Sequence, residues 1–204
     1  NMEFYQEITL MEQAEISIHF LWSKVYTQLH LAFVEQQNEQ EKIPFGVSFP
    51  QYKVNQQKQS SFLGLKIRVF AHSEIELRQL NLEKWLERLI DYVHLTKPRE
   101  VPQDKVVGYA LFYRVNPRLS LKQRIANQAQ RRNISLDEAK QHFEKYVEQP
   151  MLEPYISLKS LSAKREENID RFYNLYIGKS PADEAKDGKF GTYGLSRTVT
   201  VPEF

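Results

Sequence analysis

Hydrophobic and polar residues alternate from Phe4 to Leu10, a period of two that predicts a strand. Immediately afterwards the period lengthens. Between Ile16 and Gln37 the apolar residues Ile18, Leu21, Trp22, Val25, Leu29, Ala32 and Phe33 recur three or four apart, on one face of a helix. Phe45–Phe49 is a short apolar run closed by Pro50 and predicts a strand. The Gln- and Lys-rich stretch 51–61 has no period and reads as a mobile connection. Leu63, Leu65, Ile67 and Val69 then alternate with Lys66 and Arg68, a half-buried strand. Ser73 with Glu76 forms a capping-box signature that opens a helix expected over 74–92, with Ile75, Leu82, Trp85, Leu86 and Leu89 inward. A further extended run covers Val106–Val115. The order β-α-β-β-α-β is that of the ferredoxin-like split βαβ, an arrangement shared with RNA-recognition modules. Such a fold assigns no function by itself.

The pattern changes at residues 97–103, where two prolines and mixed charge suggest a boundary. We therefore expect a ferredoxin-like (RRM-like) domain over 2–97 and a helix-containing C-terminal region over 98–204, an α+β class overall. Ser120 with Gln123 and Ser135 with Glu138 repeat the capping-box spacing and predict helices near 120–132 and 136–148. Tyr155–Ser160 and Arg171–Ile177 read as strands around a charged loop, residues 179–189 as a second polar loop, and the last residues as a short extended tail.

Charge sharpens this picture. Residues 1–100 carry 11 Lys+Arg against 13 Asp+Glu, and residues 101–204 carry 17 against 13. From Lys105 to Leu136 there is no acid, while Lys105, Arg114, Arg118, Lys122, Arg124, Arg131 and Arg132 are basic. Such a local excess suits a polyanionic partner, and it equally describes a solvated helix face. On the 120–132 helix, Leu121, Ile125 and Ala129 share one face, and Arg124, Asn127, Gln128 and Arg131 form a polar stripe on another. Guanidinium and amide groups in a row can bind phosphates and base edges.

Composition excludes several chemistries. With 0 Cys there is no disulfide, thiol nucleophile or thiolate zinc site, which suits a reducing cytoplasm. No apolar run is long enough to span a bilayer. The 5 His show no metal-binding spacing, and neither a Gly-rich phosphate loop nor a serine elbow is present. Metal hydrolysis and nucleoside-triphosphate chemistry are disfavoured, and no cofactor is expected. RNA offers another route, because its own 2′-hydroxyl can attack the adjacent phosphate. A histidine is the natural base near neutral pH. His30, late on the first helix and beside Tyr26 and Phe33, is either that base or an incidental surface histidine.

Several segments in order resemble one family. The helix LWSKVYTQLHLAFVEQQ (21–37), the strand FGVSFP (45–50), SLKSLS (157–162), RFYNLYI (171–177) and TYGLSRTVTVPEF (192–204) are similar to the endoribonuclease that processes precursor CRISPR RNA in type I-F systems. The resemblance covers essentially the whole chain. It implies that His30 deprotonates the 2′-hydroxyl, Ser160 holds the ribose with help from Ser162, and Tyr193 orients the imidazole. It further implies that Phe172 stacks beneath the stem, that Arg114 reads a guanine edge, and that Asn116, Arg118 and the basic helix, with Lys122, Arg124, Asn127, Gln128, Arg131 and Arg132, hold the RNA. Asn116 stands where the family usually has glutamine, and the helix is less rich in arginine. The products implied are a 2′,3′-cyclic phosphate and a 5′-hydroxyl, formed without metal. The partners implied are a CRISPR repeat hairpin, the mature crRNA and subunits of a surveillance complex. Two other functions stay open: a non-catalytic subunit that binds structured RNA, and a protein-interaction module. Without a heptad seam or a long apolar edge, we expect a monomer before assembly.

Overall fold

A computed structural model describes residues 1–117, 119–148, 151–160 and 171–204. Arg118 and Ser162 lie outside the described residues. The described chain is a mixed α+β structure. Two compact units are distinguished, one formed by residues 1–115 with 153–204 and the other by residues 116–152.

In the first unit, β1 (Phe4–Leu10) leads into α1 (Ile18–Glu35). The Ser17 side chain caps that helix by accepting the Phe20 N–H, which satisfies one of the free donors of the first turn. Leu21, Trp22, Val25, Tyr26, Leu29, Ala32 and Phe33 are all buried, so the expected face is the buried one. Full burial of one such side chain contributes about 1.5–3 kcal/mol. β2 (Gly46–Ser48) follows. The 51–61 stretch, expected as a mobile connection, instead contains part of a hairpin of β3 (Lys53–Asn55) and β4 (Ser60–Phe62). Its residues are all exposed, so no apolar alternation betrays it in the sequence. β5 (Lys66–Ala71) buries Ile67 and Val69 completely.

The helix expected over 74–92 is broken into α2 (Glu74–Leu80), α3 (Leu82–Trp85) and a single tight turn at Glu87–Leu89. Asn81 causes the first break by adopting the left-handed conformation, φ 53°, while its N–H donates to the Leu77 carbonyl. β6 (Val93–Leu95) and β7 (Arg99–Glu100) complete the first sheet. Its order is β2-β5-β1-β6, with β7 also on β1, and every neighbouring pair is antiparallel. The strand after the second helical region is therefore β6, not the Val106–Val115 run.

That run is β8 (Gly108–Val115), and it belongs to a second antiparallel sheet. β9 (Tyr155–Lys159), β10 (Phe172–Ala182) and β11 (Val201–Glu203) join it in the order β11-β8-β10-β9. β10 extends past the expected end at Ile177 because Gly178 to Ala182 continue the pairing with β8. The strands on either side of residues 97–103 feed one hydrophobic cluster: Ile8, Ile67 and Val69 from the first sheet, Ala110, Phe112, Ile156 and Leu175 from the second. α1 packs on strands of both sheets, β1 and β9.

In the second unit, α4 (Leu121–Arg132) opens with a complete capping box between Ser120 and Gln123. α5 (Leu136–Gln141) is shorter than the 136–148 expected. Past Gln141 the backbone closes i→i−3 bonds, Glu144 N–H to Gln141 O and Tyr146 N–H to Phe143 O, so the chain turns instead of extending the helix.

Candidate active site

The site grows from a four-residue turn. Gly191-Thr192-Tyr193-Gly194 closes through the Gly194 N–H donating to the Gly191 carbonyl at 2.8 Å. Gly194 adopts φ 73°, where a side chain is strained, and its Cβ position would lie 2.6 Å from Val47 Cγ1. The Val47 N–H donates to the Gly194 carbonyl at 2.9 Å, fastening the turn to β2. This arrangement presents the Thr192 carbonyl and the Tyr193 ring to one face of α1.

His30 meets both. Its Nδ1 lies 2.9 Å from the Thr192 carbonyl oxygen. A carbonyl only accepts, so Nδ1 carries the hydrogen, and in the neutral ring the lone pair sits on Nε2. The imidazole stacks on Tyr193 with centroids 4.2 Å apart and planes 11° from parallel. Burial pushes the His30 pKa below 6.5, and the bond to the Thr192 carbonyl opposes this only in part. The bond and the stack fix the plane of the ring, and burial favours its neutral form.

Tyr193 is itself fixed. The Tyr26 hydroxyl donates to the Tyr193 carbonyl at 2.6 Å, and its ring stacks on that of Tyr193. The Tyr173 and Tyr193 hydroxyls hydrogen-bond to each other. Burial raises the pKa of Tyr173, with the bond to Tyr193 adding to the effect, so it stays a protonated phenol. Arg114, exposed near the end of β8, has its guanidinium 5.6 Å from the Tyr173 ring and 5.8 Å from the Tyr193 ring. Arg197 donates to the Arg114 carbonyl at 2.8 Å. Lys42, Arg114, Tyr193 and Arg197 line a cavity of about 390 Å³, which is cationic and aromatic together.

Ser160 follows β9 directly, and its N–H donates to the Arg171 carbonyl at 2.7 Å. Its placement follows from register. His19, near the start of α1, has its ring 5.2 Å from that of Tyr155, the first residue of β9. Eleven residues along the helix to His30 cover about 16 Å, and five along the strand to Ser160 cover about 16 Å. The direction is set by Tyr173, which pairs with Leu158 on β9 and also touches Tyr193. The end of β9 therefore lies toward His30. Phe172 pairs with Lys159, is 66% exposed and has the Lys159 ammonium 5.4 Å from its ring. Asn116 is exposed.

On α4, Lys122, Asn127, Arg131 and Arg132 are exposed. The polar stripe expected there is not wholly free. Arg124 donates to the Leu119 carbonyl at 3.1 Å and lies 5.2 Å from the Tyr146 ring. Gln128 donates to His142 Nδ1 at 2.5 Å. Both therefore also serve the packing of their own unit. Among the described residues no cluster of three or more His, Asp or Glu converges as a metal site.

Tyr173, Arg197 and the Thr192 carbonyl are site groups that sequence reasoning did not single out. Tyr173 and Arg197 lie inside segments quoted for their resemblance, and an arginine between Ser196 and Thr198 was a visible signal. The carbonyl carries no sequence signal.

Comparison with known proteins gives a family model described as "CRISPR-associated protein (Cas_Csy4)", which matches residues 5–204. The "CRISPR-associated endonuclease Cas6/Csy4" of Pseudomonas aeruginosa (strain UCBPP-PA14) is 28% identical over 204 residues, covering 100% of each chain. A protein of the same description from Escherichia coli (strain UTI89 / UPEC) is 24% identical, again over 100% of each. A solved chain described as "An RAMP protein binding different RNA substrates" matches with a TM-score of 0.35 and 11% identity, covering 99% of both chains, a likeness that carries no functional inference.

Proposed function

The chain belongs to the Cas_Csy4 family of CRISPR-associated proteins, and from that premise we propose that it cleaves the repeat hairpin of precursor CRISPR RNA. The names of its relatives support an endonuclease. The observation that carries the mechanism is the 2.9 Å contact of His30 Nδ1 with the Thr192 carbonyl, which assigns the hydrogen to Nδ1 and the lone pair to Nε2. Nε2 takes the proton of the 2′-hydroxyl upstream of the cut. That oxygen attacks the neighbouring phosphorus, the bond to the 5′-oxygen of the next nucleotide breaks, and that oxygen leaves with a proton from the imidazolium or solvent. A 2′,3′-cyclic phosphate and a 5′-hydroxyl result. Because RNA supplies the nucleophile, the reaction needs no metal-bound water.

In this reading Tyr193 is a positioning residue, since its ring fixes the plane of the imidazole. Ser160 holds the ribose, with Ser162 assisting. The exposed Phe172 ring stacks on the closing base pair, a sequence-tolerant contact. Arg114 reads the adjacent guanine with its bidentate fork. Asn116, Arg118, Lys122, Asn127, Arg131 and Arg132, with Arg124 and Gln128, meet phosphates and polar edges. We assign the base to a ferredoxin-like portion over 2–97, an arrangement that the sheet order β2-β5-β1-β6 supports, and the RNA-holding groups to 98–204. After cleavage the protein keeps the crRNA and joins other subunits of its complex.

The test is cleavage of a labelled repeat hairpin in excess chelator by the wild type and by His30→Ala, with a 2′-deoxy substrate alongside. Cutting by the wild type alone, with binding intact in all three cases, supports the assignment. Tight binding by a wild type that never cuts would make this a binding subunit.

A further inference from the structure

At the other end of the α1/β9 seam from His30 lies a second cavity, of about 300 Å³, that the reaction above does not use. His19, Trp22, Phe62 and Tyr155 are its aromatic lining residues, and Ser61 lines it too. Phe62 is 50% exposed and Tyr155 36%, whereas Trp22 is buried with its indole N–H donating to the Gly64 carbonyl at 3.0 Å. Exposed aromatics rimming a hollow on a monomer mark a ligand surface. Phe62 stands on the exposed β3–β4 hairpin, whose strands lie outside the buried hydrophobic cluster.

The cavity and the catalytic histidine are joined by one row of α1. His19, Ser23, Thr27 and His30 fall at i, i+4, i+8 and i+11, a single stripe of hydrogen-bonding side chains. Ser23 and Thr27 point their hydroxyls back to the carbonyls of His19 and Ser23, a turn apart, so each oxygen can still accept a bond from a ligand. The row is about 16 Å long, the reach of a few nucleotides of extended strand.

Resting on the reading under Proposed function, we propose that this cavity takes a nucleobase of the single strand just downstream of the scissile phosphate. Arg114 and Phe172, the groups that meet the stem, lie at the His30 end, so the strand that leaves the cut on the opposite side is the downstream one. The pocket chemistry suits that occupant. Aromatic faces stack any base, and Ser61 and His19 offer hydrogen bonds without demanding one sequence. The cavity thus holds the substrate's exit strand and lets go when cleavage separates it from the stem.

The experiment measures binding of an uncleavable 2′-deoxy hairpin that ends at the cut, and of the same hairpin carrying a downstream tail of several nucleotides. The tail is expected to tighten binding roughly five- to hundredfold, the range for one stacked base. An abasic site at one tail position, or Phe62→Ala or Tyr155→Ala, removes that gain and leaves tailless binding unchanged. Phe62→Trp restores it, which separates stacking from damage to the hairpin. The proposal is overturned if the tail adds nothing, if a tail on the 5′ side gives the gain instead, or if both alanine variants keep it. Failure of the functional reading shows differently, as loss of binding or cleavage of the tailless hairpin itself.

Discussion

Replacing Tyr193 separates its ring from its hydroxyl. Tyr193→Phe keeps the stack on His30 and the backbone carbonyl that Tyr26 holds, and loses only the hydroxyl bond with Tyr173. One such bond contributes about 0.5–1.5 kcal/mol to stability, and the cleavage rate should stay within a few-fold of wild type. Tyr193→Ala removes the platform 4.2 Å from the imidazole. Lost burial of the half-buried ring costs less than full burial would, about 1–2 kcal/mol, and a base misplaced by an ångström costs on the order of a hundredfold in rate. A second signature follows from the cause of the His30 shift. Burial lowers its pKa below 6.5, so the wild-type rate should rise with pH to a midpoint below 6.5 and be flat above. With the ring gone, His30 is more exposed and the midpoint climbs towards 6.5. Single-turnover cleavage from pH 5 to 8, with chemical denaturation of each variant, reads all of this. A Tyr193→Phe protein as inactive as Tyr193→Ala would refute the positioning role and give the hydroxyl a part in the chemistry. An unmoved pH midpoint in Tyr193→Ala would refute the burial argument.

The turn that carries the site should be equally sensitive: Gly194→Ala meets Val47 in a left-handed conformation and is expected to cost roughly 2–4 kcal/mol and to slow cleavage by displacing the Thr192 carbonyl, as thermal melts and rates would show. Glu7 lies 2.9 Å from both Lys66 and Arg68; burial alone would raise its pKa, but those bonds outweigh it and hold it below 4.5. Its folded pKa is depressed, so its contribution is present above pH 4.5 and is lost as pH falls through the folded value. Urea titrations should show Glu7→Gln less stable by about 1–3 kcal/mol at pH 7 and converging on wild type in acid. On α4, Arg131→Ala should lower the salt slope of RNA binding by about 1 without destabilising the protein. Arg124→Ala should also lower the melting temperature, because its guanidinium is held by Leu119 and Tyr146.

Period and capping specify much of the fold. The buried face of α1 and the start of α4 follow from local rules, since spacing selects a face and Ser120 with Gln123 satisfies the free donors of the first turn. The breaks were less visible. Asn81 has ordinary helical neighbours, and asparagine permits the left-handed conformation it adopts, φ 53°, without requiring it. β6 is three residues long with an exposed His94, too short to show alternation. For the site, His30 stood out as a residue type, and resemblance added Tyr193 and Ser160. The bond that fixes the His30 ring goes to a backbone carbonyl, which every residue has. Only the tertiary path of the chain selects Thr192.

The hydrogen bond between His30 and Thr192 spans 162 residues of sequence. At about 5–20 residues per second on the ribosome, the histidine is made roughly 10–30 s before the carbonyl that orients it. During that interval α1 can form, yet its imidazole has neither a fixed tautomer nor an aromatic platform. On the function proposed above, the base is oriented only once the 191–194 turn docks on β2, so cutting is the last property the chain acquires as it is made.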